Sequence, residues 1–113
     1  MKVFYSLKDI DIKGNTSIAL GTFDGVHIGH QQVMKSVVKD KKNVPAVFTF
    51  RNTPSGKPSL SSVEDKLEFI SKTGIETVIC VDFKEVRDIG AEEFIKSLII
   101  GQCMAKKIYC GSD

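Results

Sequence analysis

Tryptophan is absent from this 113-residue chain, proline occurs 3 times and histidine only 2 times. Arginine is almost as scarce: 16 lysines and arginines are counted together, and only Arg51 and Arg87 are arginine. So few guanidinium groups leave little for a bidentate anion clamp. The net charge of +2 gives no basic footprint for nucleic acid. No window approaches the ~20 apolar residues that a membrane span needs. Neither a nucleic acid nor a membrane is therefore expected as a partner. The N-terminal run Met1-Lys2-Val3-Phe4-Tyr5-Ser6-Leu7-Lys8 lacks the apolar stretch of a secretory signal. The 3 cysteines, Cys80, Cys103 and Cys110, form no C-x-x-C pair. An odd number without pairing reads as reduced, mostly buried thiols in a cytoplasmic protein.

What is present is ordinary globular material: 42% hydrophobic and 27% charged residues. The length suits a single domain over 1–113 with a real core. Ser17 to Phe23 reads as a buried strand running into a glycine-rich turn, and His27 to Lys39 as a helix with Val33, Met34, Val37 and Val38 at helical spacing. Val44 to Phe50 is a second strand, with Pro45 near its start. Arg51 to Ser59 is a loop by its prolines and glycine. Ser61 with Glu64 then offers a capping box to a helix that turns Val63, Leu67 and Ile70 inward and ends at Gly74. A strand over Thr77–Phe83, a helix over Glu92–Ile100 and a strand over Lys107–Cys110 complete the order, after a short strand near Lys2–Tyr5. Apolar strands alternating with amphipathic helices predict an α/β fold: a Rossmann-like, doubly wound parallel sheet with helices on both faces. Ligands of such sheets lie at the carboxyl ends of strands, where the strand order reverses.

One segment carries chemistry: Gly21-Thr22-Phe23-Asp24-Gly25-Val26-His27-Ile28-Gly29-His30, which holds both histidines of the chain. It is neither a G-x-G-x-x-G fingerprint nor a P-loop. Glycines let backbone N–H groups approach an anion, and the helix that follows presents free N–H donors at its start. His27 and His30, three apart, share a helix face. Imidazoles beside a phosphate can donate to oxygens that gain charge in a transition state without acting as nucleophiles. The plain alternative is that His27 caps the turn and His30 packs on the helix. A metal site is disfavoured, because only Asp24 lies nearby, and no metal ligands are assigned.

The decapeptide resembles the signature of the H-x-G-H nucleotidyltransferases, and in its G-x-F-D-G-V-H-x-G-H form that of the FMN adenylyltransferase module of bacterial FAD synthetases. Val47-Phe48-Thr49-Phe50 is similar to that family's V-x-T-F strand. Leu60-Ser61-Ser62 with Lys66 resembles its L-T-x-x-x-K helix start, and Gly74-Ile75-Glu76 its G-V-D strand entry. Gly111-Ser112-Asp113 looks like the opening of its G-x-D-F-x-F-G element. The resemblance implies adenylyl transfer from ATP to FMN, giving FAD and pyrophosphate, with Mg²⁺. His27 and His30 would then be catalytic, and Gly21, Thr22, Phe23, Asp24, Gly25 and Gly29 would line the nucleotide site. Asp24 would be a turn-fixing acceptor or a Mg²⁺ partner, and a purely structural Asx turn stands beside that reading. Asn52 and Asp113 are candidate flavin-side loop residues, with a loop-only role for Asn52 the plainer reading.

The chain departs from the family where D-P-H-P is usual and Arg51-Asn52-Thr53-Pro54 stands. The family's later nucleotide motif and riboflavin kinase domain do not follow Asp113. The expectation is therefore a partial module: a fragment, a protein with an unrecorded remainder, or a subunit completed by oligomerisation. Cys103, Met104, Ile108 and Tyr109 would then face a partner or solvent. Other readings are a noncatalytic nucleotide-binding or assembly module, and a different H-x-G-H transferase such as a cytidylyltransferase; Gly25-Val26 speaks against the latter.

Overall fold

The structure, a computed structural model, describes residues 1–23, 28–52 and 62–110, and of 28–30 the backbone only. The strands are β1 (Lys2–Phe4), β2 (Thr16–Leu20), β3 (Val44–Phe50), β4 (Thr77–Val81) and β5 (Ala105–Cys110). They form a 5-stranded sheet in the order β1-β4-β3-β2-β5. Every pairing is parallel. The helices are α1 (Ile28–Lys39), α2 (Val63–Ser71) and α3 (Ala91–Glu93), and α3 continues into a π-helix over Phe94–Gln102.

The apolar runs become strands because both sheet faces are covered, so successive side chains are buried whichever way they point. On one face Ile18, Ala46, Phe48, Ile79 and Val81 pack with Leu98 and Ile99 of the π-helix. On the other, Ala19, Val47, Val78 and Cys80 pack with Met34 and Val37 of α1 and Ile70 of α2. Phe48 meets Phe50 and Phe94 edge to face, at 5.9 and 5.4 Å between ring centres. Such contacts add roughly 0.5–1.5 kcal/mol each beyond area burial. Pro45 is tolerated in a central strand because its carbonyl alone is used there, accepting from the Glu76 N–H at 3.0 Å.

Chain order explains where a site belongs. From β2 the chain steps through α1 to β3 and through α2 to β4, moving one way across the sheet. The segment after β4 then returns over the opposite face to place β5 on the far side of β2. The strand order therefore reverses between β2 and β5, and the carboxyl end of β2 opens onto that reversal.

Several expectations are corrected in detail. The first long strand stops at Leu20 rather than Phe23, because Phe23 adopts a left-handed φ of 49° that no strand accommodates. The cap of α2 is Ser62, whose hydroxyl accepts from the Asp65 N–H at 3.0 Å; Ser61 lies outside the described residues. The strand beginning at Thr77 ends at Val81, since the Asp82 side chain accepts from the Lys84 N–H and opens a turn. The last helix is mostly π-helical. Its wider winding places Cys103 five residues beyond Leu98, to whose carbonyl the Cys103 N–H donates at 2.9 Å. Cys103, expected to face a partner or solvent, is consequently fully buried. Tyr109 is half-buried against the α1–α2 layer, whereas Met104 and Ile108 are exposed as expected.

Candidate active site

The turn leaving β2 is built on contacts among Gly21, Thr22, Phe23, Thr49 and Lys66. Gly21 keeps a last ladder bond, its N–H donating to the Phe48 carbonyl at 3.2 Å. Phe23 then folds its ring back over Gly21 and buries it to 2% exposure. A Cβ on Gly21 would stand 2.9 Å from the Phe23 ring tip, so glycine at 21 is required by the ring itself. Beyond Gly21 the strands part, and the Thr22 carbonyl is claimed by side chains instead. Thr49 Oγ1 donates to it at 2.8 Å, and Lys66 Nζ donates at 2.7 Å. The same ammonium donates to the Phe50 carbonyl at 2.8 Å and lies 3.5 Å from Thr49 Oγ1.

Lys66 is thus a buried cation, 7% exposed, drawn from α2 across the ends of β2 and β3. Its place was readable in part: it falls on the stripe of Val63 and Ile70, where an apolar residue is expected. A lysine there has to carry its charge to polar partners, because unpaired burial is costly. Thr49, fully buried, is the companion the sequence does not single out. The Lys66 charge also reaches Cys80, whose thiol is raised by burial and drawn back in part by Lys66 and Arg51.

Of the residues expected at the site, the structure brings Gly21, Thr22 and Phe23 to the carboxyl end of β2 and sets Gly29 and His30 in the first turn of α1. That turn carries no acidic residue to oppose an anion. His27, Asp24, Gly25 and Asp113 lie outside the described residues. Asn52 is engaged in joining strand ends: its Oδ1 accepts from the Phe83 N–H at 3.0 Å, and its Nδ2 donates to Asp82 at 3.1 Å. Asp82 is held below the usual carboxylate range, first by the Lys84 N–H and then by the Asn52 amide. Arg51 stands 3.9 Å from Asp82 with both side chains partly exposed, a pair worth little by itself. Among the described residues no group of three or more His, Cys, Asp or Glu side chains could hold a metal ion.

A parallel sheet with helices on both faces and a glycine-bearing turn at the strand-order reversal defines a doubly wound α/β protein, in which ligands lie at the carboxyl ends of the strands. The FAD synthetase family profile matches residues 9–113. The chain therefore belongs to the FAD synthetase family. Its relatives include proteins named bifunctional riboflavin kinase/FMN adenylyltransferase. That of Buchnera aphidicola from Schizaphis graminum is 30% identical over 90% of this chain and 36% of its own length. That of Bacillus subtilis is 38% identical over 74% and 30%, and that of Escherichia coli K12 is 27% identical over 85% and 34%. The chain thus spans about a third of the curated relatives it matches. A crystal structure titled as a macrolide-efflux protein from Streptococcus pneumoniae shares the fold. It superposes with a TM-score of 0.80 at 23% identity, over 96% of this chain and 40% of that one. Among the described residues no helix is long and apolar enough to cross a membrane.

Proposed function

We propose that this chain carries the adenylyl-transfer site of an FMN adenylyltransferase, as a partial module over 1–113. A phosphate oxygen of FMN attacks the α-phosphorus of ATP, the bond from that phosphorus to the bridging oxygen breaks, and pyrophosphate leaves as FAD forms. The observation that carries the reading is the turn Gly21–Phe23 at the reversal between β2 and β5, followed by α1 with Gly29 and His30 in its first turn. In-line transfer at phosphorus asks a protein chiefly for positioning and for stabilisation of charge. Backbone donors of the turn and of the start of α1 supply the first, and His27 and His30 donate to the phosphate oxygens as charge builds.

Gly25 and Gly29 keep side chains out of the phosphates' approach, and Asp24 fixes the turn or meets the Mg²⁺ that ATP brings bound to its phosphates. Asn52 and Asp113 are assigned to flavin contact by this reading alone. The name of the relatives, bifunctional riboflavin kinase/FMN adenylyltransferase, supports a riboflavin kinase region elsewhere in the whole protein. A cytoplasmic setting agrees with the free state of Cys80, Cys103 and Cys110.

The test is FAD formation from FMN, ATP and Mg²⁺. It is measured for the 113-residue chain and for the chain extended with the corresponding C-terminal portion of the Bacillus subtilis relative. Turnover is expected at least from the extended protein. His30→Ala is expected to slow it by about 10²-fold or more while leaving ATP affinity intact. No FAD from either protein overturns adenylyl transfer and leaves nucleotide binding alone. A rate indifferent to His30→Ala removes His30 from the chemistry.

A further inference from the structure

The carboxyl ends of the strands carry a second concavity besides the turn after β2. It is an apolar crevice of about 420 Å³, within the range of small-molecule sites. Phe50, Phe83, Val86, Ile89 and Phe94 line it, and among the described residues Arg87 is its one charged lining side chain. Its wall is firmly built. Phe50 and Phe83 meet edge to face with ring centres 5.2 Å apart. Asn52 ties the end of β3 to the turn that carries Phe83, accepting from the Phe83 N–H and donating to Asp82. Phe50 ends β3, beside β2, whereas Arg87 follows β4, one strand further from β2. Lys66 joins the near side of the crevice to the turn, donating to both the Phe50 and the Thr22 carbonyls. Arg87 is 58% exposed and stands 3.8 Å from the exposed Asp88, a pair worth little, so its guanidinium can serve a ligand in the crevice.

We infer that Arg87 is a specificity-determining residue for the acceptor substrate: its guanidinium donates to the carbonyl oxygens at one end of a flavin ring seated in this crevice. This rests on the adenylyl-transfer reading for the identity of the acceptor. The flavin ring is a flat tricycle with two methyl groups at one end and two carbonyl oxygens at the other. Its phosphate-bearing chain leaves from the middle ring. Aromatic and aliphatic walls suit the apolar part, and a planar fork of N–H donors suits the oxygens. The order of strands sets the direction. The phosphate belongs on the Phe50 side, toward the turn after β2, so Arg87 on the far side meets the ring and not the phosphate. A carbonyl placed against apolar walls without a donor is costly. A ring that lacks the oxygens leaves the donor unpaired instead, and the site discriminates between the two.

The test is quenching of flavin fluorescence on binding to the 113-residue chain, without ATP, using FMN and riboflavin as probes. Arg87→Met keeps the stem and removes the donors, and Arg87→Lys restores the charge. Arg87→Met is expected to weaken both flavins by the same factor, about tenfold or more, and Arg87→Lys to recover part of that loss. Lys84→Met, at an exposed lysine of the same turn, is expected to leave both affinities unchanged. Phenazine, a flat tricycle without carbonyl oxygens, is expected to displace riboflavin weakly, with an affinity of its own that is the same in wild type and Arg87→Met. Unchanged flavin affinity in Arg87→Met overturns the role. A loss confined to FMN overturns it too, since Arg87 would then read the phosphate, and so does an equal loss for phenazine, which would mark a damaged crevice. No quenching of either flavin by the wild-type chain overturns the crevice as the acceptor's site. Binding is read without turnover, so a chain that holds flavin through Arg87 yet forms no FAD keeps this role and loses adenylyl transfer. FAD formation by the extended protein with a KM for FMN indifferent to Arg87→Met is the reverse result.

Discussion

Gly21→Ala tests whether the turn at the end of β2 is shaped by its own packing. The added methyl would lie 2.9 Å from Cζ, 3.0 Å from Cε2 and 3.3 Å from Cε1 of Phe23. Those distances are too short for carbon contacts, and the ring is 2% exposed. Either the ring yields by shifting within a filled core, at about 1–3 kcal/mol for overpacking, or it swings out and forfeits roughly 1.5–3 kcal/mol of burial. Both routes give a destabilisation of about 1–3 kcal/mol. Unfolding entropy of ~2.1 cal/mol/K per residue makes each kcal/mol roughly 4 °C in Tm at this chain length, so a fall of about 4–12 °C is expected. The assay is urea and thermal unfolding of wild type, Gly21→Ala, Phe23→Leu and the double variant. Leucine vacates the ring tip, so Gly21→Ala should cost much less in that background, giving a coupling of about 1 kcal/mol or more. An unchanged Tm, or the same cost in both backgrounds, refutes the claim that the ring dictates glycine at 21.

Asp40 accepts from Ser17 Oγ at 2.6 Å, Asn43 Nδ2 at 2.8 Å and the Lys42 N–H at 3.0 Å, and these bonds, that from Ser17 foremost, hold its carboxyl far below the usual range. A depressed folded pKa means stability that is complete above the unfolded value near 4 and is lost as pH falls below it. The gap in unfolding midpoint between wild type and Asp40→Asn should therefore shrink between pH 5 and pH 2, and a pH-independent gap would show that Asp40 does not contribute through its charge. Ser62→Ala removes the cap of α2 and should cost about 1 kcal/mol in urea unfolding, with Ser62→Asp close to wild type; equal loss from both would move the cap elsewhere. Cys110 is exposed, while burial pushes the Cys103 thiol up to about 12 and raises that of Cys80. Alkylation at pH 8 should mark Cys110 quickly and the other two only on unfolding; three equal rates would contradict the burial of Cys80 and Cys103.

The elements were legible where one physical signal dominated. The runs Val44–Phe50 and Thr77–Val81 are apolar at nearly every position, which only a strand covered on both faces requires, and their parallel pairing follows from the helices between them. The turn after β2 was legible as a turn, because glycines follow an apolar strand there. Its inner construction was not: nothing local in the sequence tells that Phe23 folds over Gly21, or that Lys66, forty-four positions on, reaches the Thr22 carbonyl. The cap of α2 was missed by one position because Ser61 and Ser62 both precede the helix and both find an acid three residues on. The π-helix escaped notice because Phe94, Ile95, Leu98 and Ile99 satisfy an α-helical stripe equally well; the bond from the Cys103 N–H to the Leu98 carbonyl and the burial of Cys103 mark the wider winding.

Between Thr16↔Ala105 and Ser17↔Lys107 the pairing of β2 with β5 skips Lys106, so β5 enters the sheet with a kink and with adjacent lysines exposed. The opposite border, β1, is only 3 residues long. A bulged, cationic rim on one side and a stub on the other make poor templates for a foreign strand. Self-association by zippering of sheet borders is thereby discouraged at both flanks, which leaves the parallel ladder at the molecule's centre safe to be as apolar as its covering helices demand.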